Sequence, residues 1–331
     1  MIMSFEDCFR EKQVLITGGA GFIGSNLSRR LADLGAHVTI VDSLIPDYGG
    51  NLFNLSDYED RITMNVADVR DPYSMNYLVQ GRDYLFNLAG QISHTDSMQN
   101  PYTDLEINVR AQLSILEACR TNNPTIKIFF PSTRQIYGKP INLPVDEDHP
   151  INPVDINGID KIAAELYHIL YHRIHGIPIA ILRLTNTYGP RMRIKDARQT
   201  FIGWWIRQAL EGQTIRVFGD GMQLRDLNFV EDVIDAILLV ATKPEALGAI
   251  YNLGSKPISL LELAGLVLEV TGKGGYELVP FPPERKAIDI GSYYANYNKI
   301  HSQLGWSPKT SLRQGLKQTI DYYNQNLGRY I

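Results

Sequence analysis

An α/β fold, with a doubly wound parallel sheet and a smaller C-terminal domain, is what three features of the 331-residue sequence predict. Short β-branched runs alternate with segments of helical period through the first half; the runs are apolar at nearly every position; and the texture changes after about residue 185. Alternation of strand and helix puts crossover helices on both faces of a parallel sheet, and strands covered on both faces need apolar residues on both sides.

The predicted strands are QVLIT (13–17), HVTIVD (37–42), ITMNVAD (62–68), YLFNLAG (84–90), IKIFFPST (126–133) and PIAILRLT (178–185). Beyond them, Gly, Pro and Arg are denser in NTYGPRMRIKDARQT. The later elements are shorter and more mixed: TIRVFGDG, EDVIDAILLVAT, AIYNLG, LLELAGLVLEV and a terminal helix LRQGLKQTIDYYNQNL. The chain is expected to cross back to the sheet near 229–254. A larger domain is therefore read as 1–185 plus 229–254, and a smaller one as 186–228 plus 255–331.

Composition bounds the function classes. Lys plus Arg total 32 against 36 Asp plus Glu, a net charge of −4, and no basic stripe argues for nucleic acid. No run approaches the roughly 20 apolar residues a membrane helix needs. Cys8 and Cys119 fit neither a disulfide framework nor a metal-ligand spacing, so a reducing, cytoplasmic setting is expected, with no metal.

The first strand runs into TGGAGFIGSN, a G-x-x-G-x-x-G pattern at Gly18, Gly21 and Gly24. Side chains there would block the tight turn, the approach of backbone to a pyrophosphate and the packing of helix on strand. Phe22 and Ile23 open the following helix, whose N–H groups and positive dipole end suit phosphates. Asp42 ends the second strand 18 residues after Gly24. Its carboxylate would accept from the adenosine ribose hydroxyls and repel a 2′-phosphate, which favours NAD over NADP in a Rossmann-type domain.

With these residues the chain resembles the extended short-chain dehydrogenases/reductases, in the nucleotide-sugar epimerase and dehydratase group, over nearly its whole length. ADVRD is similar to the segment whose Asp68 and Val69 flank adenine, and NLAGQ, with Leu88, Ala89 and Gly90, to the turn over the cofactor. STRQIYG resembles the motif whose Thr133 touches the sugar 4-oxygen. RLTNTYGPR and GDGMQLRDLNFVEDV resemble the segments that close on a nucleotide diphosphate. Within the group, the stretch LAGQISHTDSMQNPYTDLEINVRAQLSILEACR is most similar to UDP-sugar 4-epimerases and CDP-tyvelose 2-epimerases.

The resemblance implies that Asn186 and Arg225 hold the substrate diphosphate, with Arg285 as a second clamp, and a guanidinium fork suits that group. The alternative of a solvated surface charge is weaker for Arg225 and evenly balanced for Arg285. It also implies that ARQTFIGWW, with Gln199 and Thr200, meets the nucleotide base. Two helical segments, PYTDLEINVRAQLSILEAC and the one after NGIDK, resemble the pair that forms a homodimer interface in the group.

One position departs from the group. Its helix normally carries Tyr-x-x-x-Lys, and a spacing of four puts both side chains on one face. There the ammonium lowers the phenol's pKa so that the phenolate can take a hydroxyl proton. Counting back from Lys161, the position holds Asn157, and an amide does not titrate. Lys161 can still hold the nicotinamide ribose. After Thr133 the 4,6-dehydratases carry Asp and Glu, whereas this chain has Arg134 and Gln135, which cannot act as that acid and base. Decarboxylases of the group keep a glutamate where Gln135 stands. An epimerase is therefore the leading reading, ahead of dehydratase, decarboxylase or reductase.

Three accounts of Asn157 remain open. His94, after the fourth strand, could supply the acid–base function, since imidazole titrates near neutrality. Substrate or water could carry the proton while Asn157 and Thr133 orient the sugar. Or the protein binds NAD and a nucleotide sugar without turnover. Arg134 would either pair with an anion on the sugar or form a salt bridge to a neighbouring acidic residue.

Overall fold

The computed structural model describes residues 4–331. The opening helix α1 (Phe5–Phe9) leads into β1 (Gln13–Thr17), α2 (Phe22–Asp33), β2 (His37–Asp42), β3 (Ile62–Val66), α3 (Pro72–Leu78) and β4 (Tyr84–Asn87). Then come α4 (His94–Gln99), α5 (Pro101–Leu105), α6 (Ala111–Asn122), β5 (Lys127–Thr133), α7 (Ile156–His175) and β6 (Ile179–Leu184). Each predicted strand is present, some one to three residues shorter than its apolar run because the last residues turn into the loops over the sheet edge.

The rest of the chain supplies β7 (Asn186–Tyr188), α8 (Phe201–Leu210), β8 (Thr214–Phe218), β9 (Leu224–Arg225), β10 (Leu227–Phe229), α9 (Val230–Thr242) and β11 (Ile250–Asn252). It ends in β12 (Ile258–Ser259), α10 (Leu260–Thr271), β13 (Gly275–Val279), α11 (Pro283–Ala287), α12 (Asn298–Leu304) and α13 (Leu312–Asn326). Among the described residues no helix is long and apolar enough to cross a membrane.

Seven strands form one sheet in the order β11-β6-β5-β4-β1-β2-β3, and every pairing in it is parallel. The order reverses at β1, which lies between β2 and β4, so a crevice opens at the carboxyl ends of β1 and β4. One face of the sheet is covered by α2 and α9, with Leu27, Leu31, Val233 and Ile237 packed on Ile16, Ile40 and Phe86. The other is covered by α3, α6 and α7, with Met75, Ile115, Leu116 and Ala164 on Leu15, Leu85 and Ile128. A separate core of Ile202, Ile206, Ile215, Leu263 and Leu316 joins α8, β8, α10 and α13.

Two details depart from the sequence reading. The stretch from Pro101 is not one helix: a π-helical turn at Glu106–Arg110 separates α5 from α6. That wider turn carries Asn108, whose amide donates to the Gln91 carbonyl (2.8 Å) and to Asp104 Oδ1 (2.9 Å), tying the helix to the loop after β4. Periodicity does not register one inserted residue of this kind. Second, Ile300 and Trp306 pack into the core of the large sheet, and the Trp306 indole donates to the Asp232 carbonyl of α9 at 3.0 Å. A segment the sequence reading gave to the smaller domain thus braces the larger one.

Helix α7 is fixed at both ends and in the middle. Asp155 caps it by accepting from Gly158 N (2.7 Å), and Gly176, at φ 68°, ends it in the left-handed conformation. Buried Glu165 pairs with Arg183 of β6 at 2.6 Å, and the same guanidinium donates to the Tyr137 hydroxyl at 2.7 Å. Glu165→Ala would leave that guanidinium buried and unpaired. It should cost about 3–5 kcal/mol of stability, measurable by denaturant unfolding; a loss under about 1 kcal/mol would contradict this account of α7.

Candidate active site

The crevice is the mouth of a cavity of about 830 Å³, and every residue selected from the sequence as a site residue lines it. At one end is the glycine turn. Gly18 takes φ 68°, a left-handed conformation that side chains resist, and a Cβ on Gly24 would stand 2.1 Å from the Gly18 carbonyl oxygen. Gly21 is the N-cap of α2 and provides no side chain, so the first-turn N–H groups from Phe22 and Ile23 onward have no side-chain cap. A Cβ on Gly21 would meet only the Gly18 oxygen, at 3.2 Å, and would otherwise fill this cradle.

Asp42 lies beside the turn, accepting from Ala20 N (3.0 Å) and Leu44 N (2.9 Å), while burial raises its pKa. Each carboxylate oxygen keeps lone-pair capacity for a ribose hydroxyl. Asp68, held below the usual carboxylate range mainly by its hydrogen bonds from Arg70, and Val69 form the adjacent wall. Leu88, Ala89 and Gly90 form the loop above. The uncapped helix, the side-chain-free cradle and the carboxylate at the end of β2 fit NAD.

At the centre of the cavity stand Thr133, His94, Asn157 and Lys161. Thr133 Oγ1 accepts from Gln135 N (3.2 Å), leaving its hydroxyl proton free to donate. Lys161, on α7 four residues after Asn157, has its ammonium 4.3 Å over the Phe130 ring, and burial lowers its pKa to about 8, against the pull of Glu165 and Asp104.

Asn157 is buried, and its amide nitrogen is committed: Nδ2 donates to the Gln91 carbonyl at 2.9 Å and to Asp104 Oδ2 at 3.3 Å. Turning the amide over would set Oδ1 against two acceptors, so the network fixes its orientation. The atom left for a ligand is therefore Oδ1, an acceptor.

His94 Nδ1 lies 2.9 Å from Asp155 Oδ2, a short contact that a small rotation of the ring would align as a hydrogen bond. Burial by itself would raise the Asp155 pKa, yet His94, the Gly158 N–H and Gln135 hold it below the ordinary value. Gln135 donates to the same Asp155 oxygen at 2.7 Å, so its amide braces the carboxylate that faces His94. With Nδ1 turned to Asp155, Nε2 is the ring atom left for a substrate.

Behind Asn157, outside the cavity lining, Asp104 and Asp160 form a buried carboxyl pair. Burial and then the hydrogen bond it donates to Asp104 push Asp160 up to about 7. A carboxyl whose folded pKa is raised is favoured in its protonated form. Its stabilisation is complete below its unfolded value near 4 and is lost as pH rises through 7. Asp160→Asn, which keeps a donor toward Asp104, should therefore gain stability over the wild type as pH goes from 5 to 8. After discounting for solvent screening, the gain should be about 1–2 kcal/mol. A melting-temperature difference constant across that range would contradict the shared proton.

The far end carries the arginines. Arg225 is buried, donating to the Leu224 and Gly291 carbonyls (2.9 and 2.5 Å) and standing 3.4 Å from Asp289. It is not a solvated surface charge. Arg285 is exposed on α11, its guanidinium 5.6 Å from the Phe218 ring centre. Asn186 donates to the Asp226 carbonyl (3.0 Å) and accepts from Arg134 Nη2 (3.2 Å). Thr200 caps α8 by accepting from Gly203 N (3.2 Å), and Gln199 lies beside Gly49.

Sequence reasoning missed Asp155, Gln91, Asp104 and Asp160 as supports. Asp155 carried a readable signal, since Asp directly before a helix is a cap. The others come from distant segments, and no local pattern brings them together.

The cavity thus joins a side-chain-free glycine turn, through a polar centre, to an end that carries two arginines. The model of the NAD-dependent epimerase/dehydratase family matches residues 14–254, and the chain belongs to that family. A protein of Methanocaldococcus jannaschii provisionally named UDP-glucose 4-epimerase is 34% identical over 314 residues, 95% of this chain and 99% of its own length. UDP-glucuronic acid decarboxylase 1 of Xenopus tropicalis is 30% identical over 326 residues, 96% of this chain and 73% of the relative. The crystal structure of UDP-glucose 4-epimerase from Thermotoga maritima with UDP-glucose superposes with a TM-score of 0.86 at 30% identity, covering 95% of this chain and 99% of that one.

Proposed function

We propose that the protein is an epimerase of a nucleoside-diphosphate sugar in which His94, held by Asp155, takes and returns the proton of the reacting hydroxyl. The observation that carries this reading is the 2.9 Å approach of His94 to a buried carboxylate inside the same cavity as the glycine turn. A carboxylate beside Nδ1 fixes the imidazole's tautomer and stabilises the imidazolium that forms when Nε2 takes a proton. NAD, when bound, supplies the hydride acceptor and donor that make the cycle redox-neutral.

Thr133 donates to a sugar oxygen, and Asn157 Oδ1 accepts from a neighbouring sugar hydroxyl, so together they orient the ring. Lys161 holds the nicotinamide ribose; Gly18, Gly21, Phe22, Ile23 and Gly24 hold the pyrophosphate; Asp42 holds the adenosine ribose. Asn186, Arg225 and Arg285 take the substrate diphosphate, and Gln199 and Thr200 the base. Dehydration and decarboxylation fall below epimerisation because Arg134 and Gln135 do not titrate and Gln135 is tied to Asp155. A homodimer suits the exposed apolar side chains of α7, Leu166, Leu170 and Ile174, with Tyr102 of α5 nearby in the fold. Leu166→Glu/Leu170→Glu should then halve the mass in light scattering, whereas a wild-type monomer would end that reading.

The function is tested by incubating purified protein with UDP-, GDP-, CDP- and dTDP-sugars. One sugar should yield its epimer without added NADH, with a transient rise in reduced-cofactor absorbance. Tight binding with no epimer and no absorbance change anywhere in the panel would instead make the protein a silent binder.

A further inference from the structure

Arg134 follows Thr133 directly, at the end of β5, and lines the cavity. Its Nη2 donates to Asn186 Oδ1 at 3.2 Å, and its guanidinium lies 5.5 Å from the Tyr293 ring centre. Its Nη1 is buried without any hydrogen-bond partner. Among the described residues it has no ion-pair partner, so the expected alternative of a salt bridge to a neighbouring acid is absent. Asp226, its strongest opposing charge, is fully buried away from the cavity lining; its Oδ2 accepts from the Ala295 N–H at 3.0 Å, and its Oδ1 is buried without a hydrogen bond and forms no ion pair with Arg134. Burial pushes Asp226 up to about 7, which weakens it as a counter-charge.

A buried guanidinium with an unpaired donor is costly to keep unless something outside the protein completes it. The second buried arginine, Arg225, sharpens the point, because burial and then the charge of Arg134 lower its pKa to about 10. Two like charges that disfavour each other in a cavity form a receptor for anions. Under the proposed function, Arg225 and Arg285 serve the diphosphate. Arg134 stands between that end and the reacting centre, its Nη2 on Asn186 and its backbone one residue from Thr133.

We propose that Arg134 receives a carboxylate carried by the sugar ring, so that the substrate is an acidic nucleotide sugar rather than a neutral one. The two oxygens of a carboxylate match the guanidinium fork, and Nη1 supplies the donor now unpaired. The inference rests on the nucleotide-sugar reading of the cavity and narrows its substrate class.

The test is calorimetric titration of the NAD-loaded protein with two pairs: UDP-glucose against UDP-glucuronic acid, and the base-free pair glucose 1-phosphate against glucuronic acid 1-phosphate. In at least one pair the acid should bind about tenfold more tightly, and Arg134→Met should bring that ratio close to one, with Arg134→Lys intermediate. A ratio near one in both pairs for the wild type overturns the proposal, as does a preference that survives in both variants, which would assign the acid to another group. Melting temperatures of the variants report whether they fold, and the wild-type ratios stand as a test by themselves. Failure here leaves neutral-sugar turnover intact, whereas failure of the epimerase reading leaves the acid preference without a product.

Discussion

His94→Ala is expected to lower the turnover of the epimerised sugar by about 10²–10⁴-fold, with the loss in kcat rather than KM, because it removes the imidazole that the Asp155 carboxylate faces at the centre of the cavity. His94→Gln should behave alike, since an amide keeps polarity but cannot carry the proton. Asp155→Asn should lose less and should shift the pH profile, as the imidazole loses the carboxylate beside Nδ1. If His94→Ala turns over like the wild type, the proton travels through substrate or water. Asn157 and Thr133 would then be orienting groups alone.

The second large effect is expected in the glycine turn, where two substitutions separate packing from cofactor binding. Gly24→Ala places a methyl group 2.1 Å from the Gly18 carbonyl, against backbone that cannot yield. It should cost on the order of 3 kcal/mol of stability and abolish bound NAD. Gly21→Ala meets only one atom, at 3.2 Å, and Gly21 has an ordinary φ of −74°. It should unfold at nearly the wild-type denaturant midpoint while releasing its NAD, because the methyl occupies the phosphate cradle. NAD retained in Gly21→Ala at the wild-type level would contradict the position assigned to the pyrophosphate.

The fold was legible because strands buried on both faces announce themselves as apolar runs, and because a glycine turn between strand and helix has few other uses. The cavity wall was legible for the same reason, since its motifs sit at strand ends, where local sequence fixes position. What escaped was the tertiary wiring. Asn157 was legible as a non-titrating group that could orient a sugar, but not which of its atoms would do so; Gln91 and Asp104 pin its nitrogen and leave its oxygen. The partner of His94 is Asp155, 61 residues on, and only the docking of α7 against the loop after β4 brings them together. Arg134 was read as having two possible partners, and only packing could show that it forms no ion pair among the described residues.

The most direct test is nuclear magnetic resonance of a sugar nucleotide incubated with the NAD-loaded protein and with its His94→Ala variant. The wild type should convert the sugar to its epimer until the two reach equilibrium, with no net cofactor consumed, while the variant slows that approach by at least a hundredfold. Epimer formation at equal rates in both would contradict the account, as would a sugar that stays unchanged although it binds.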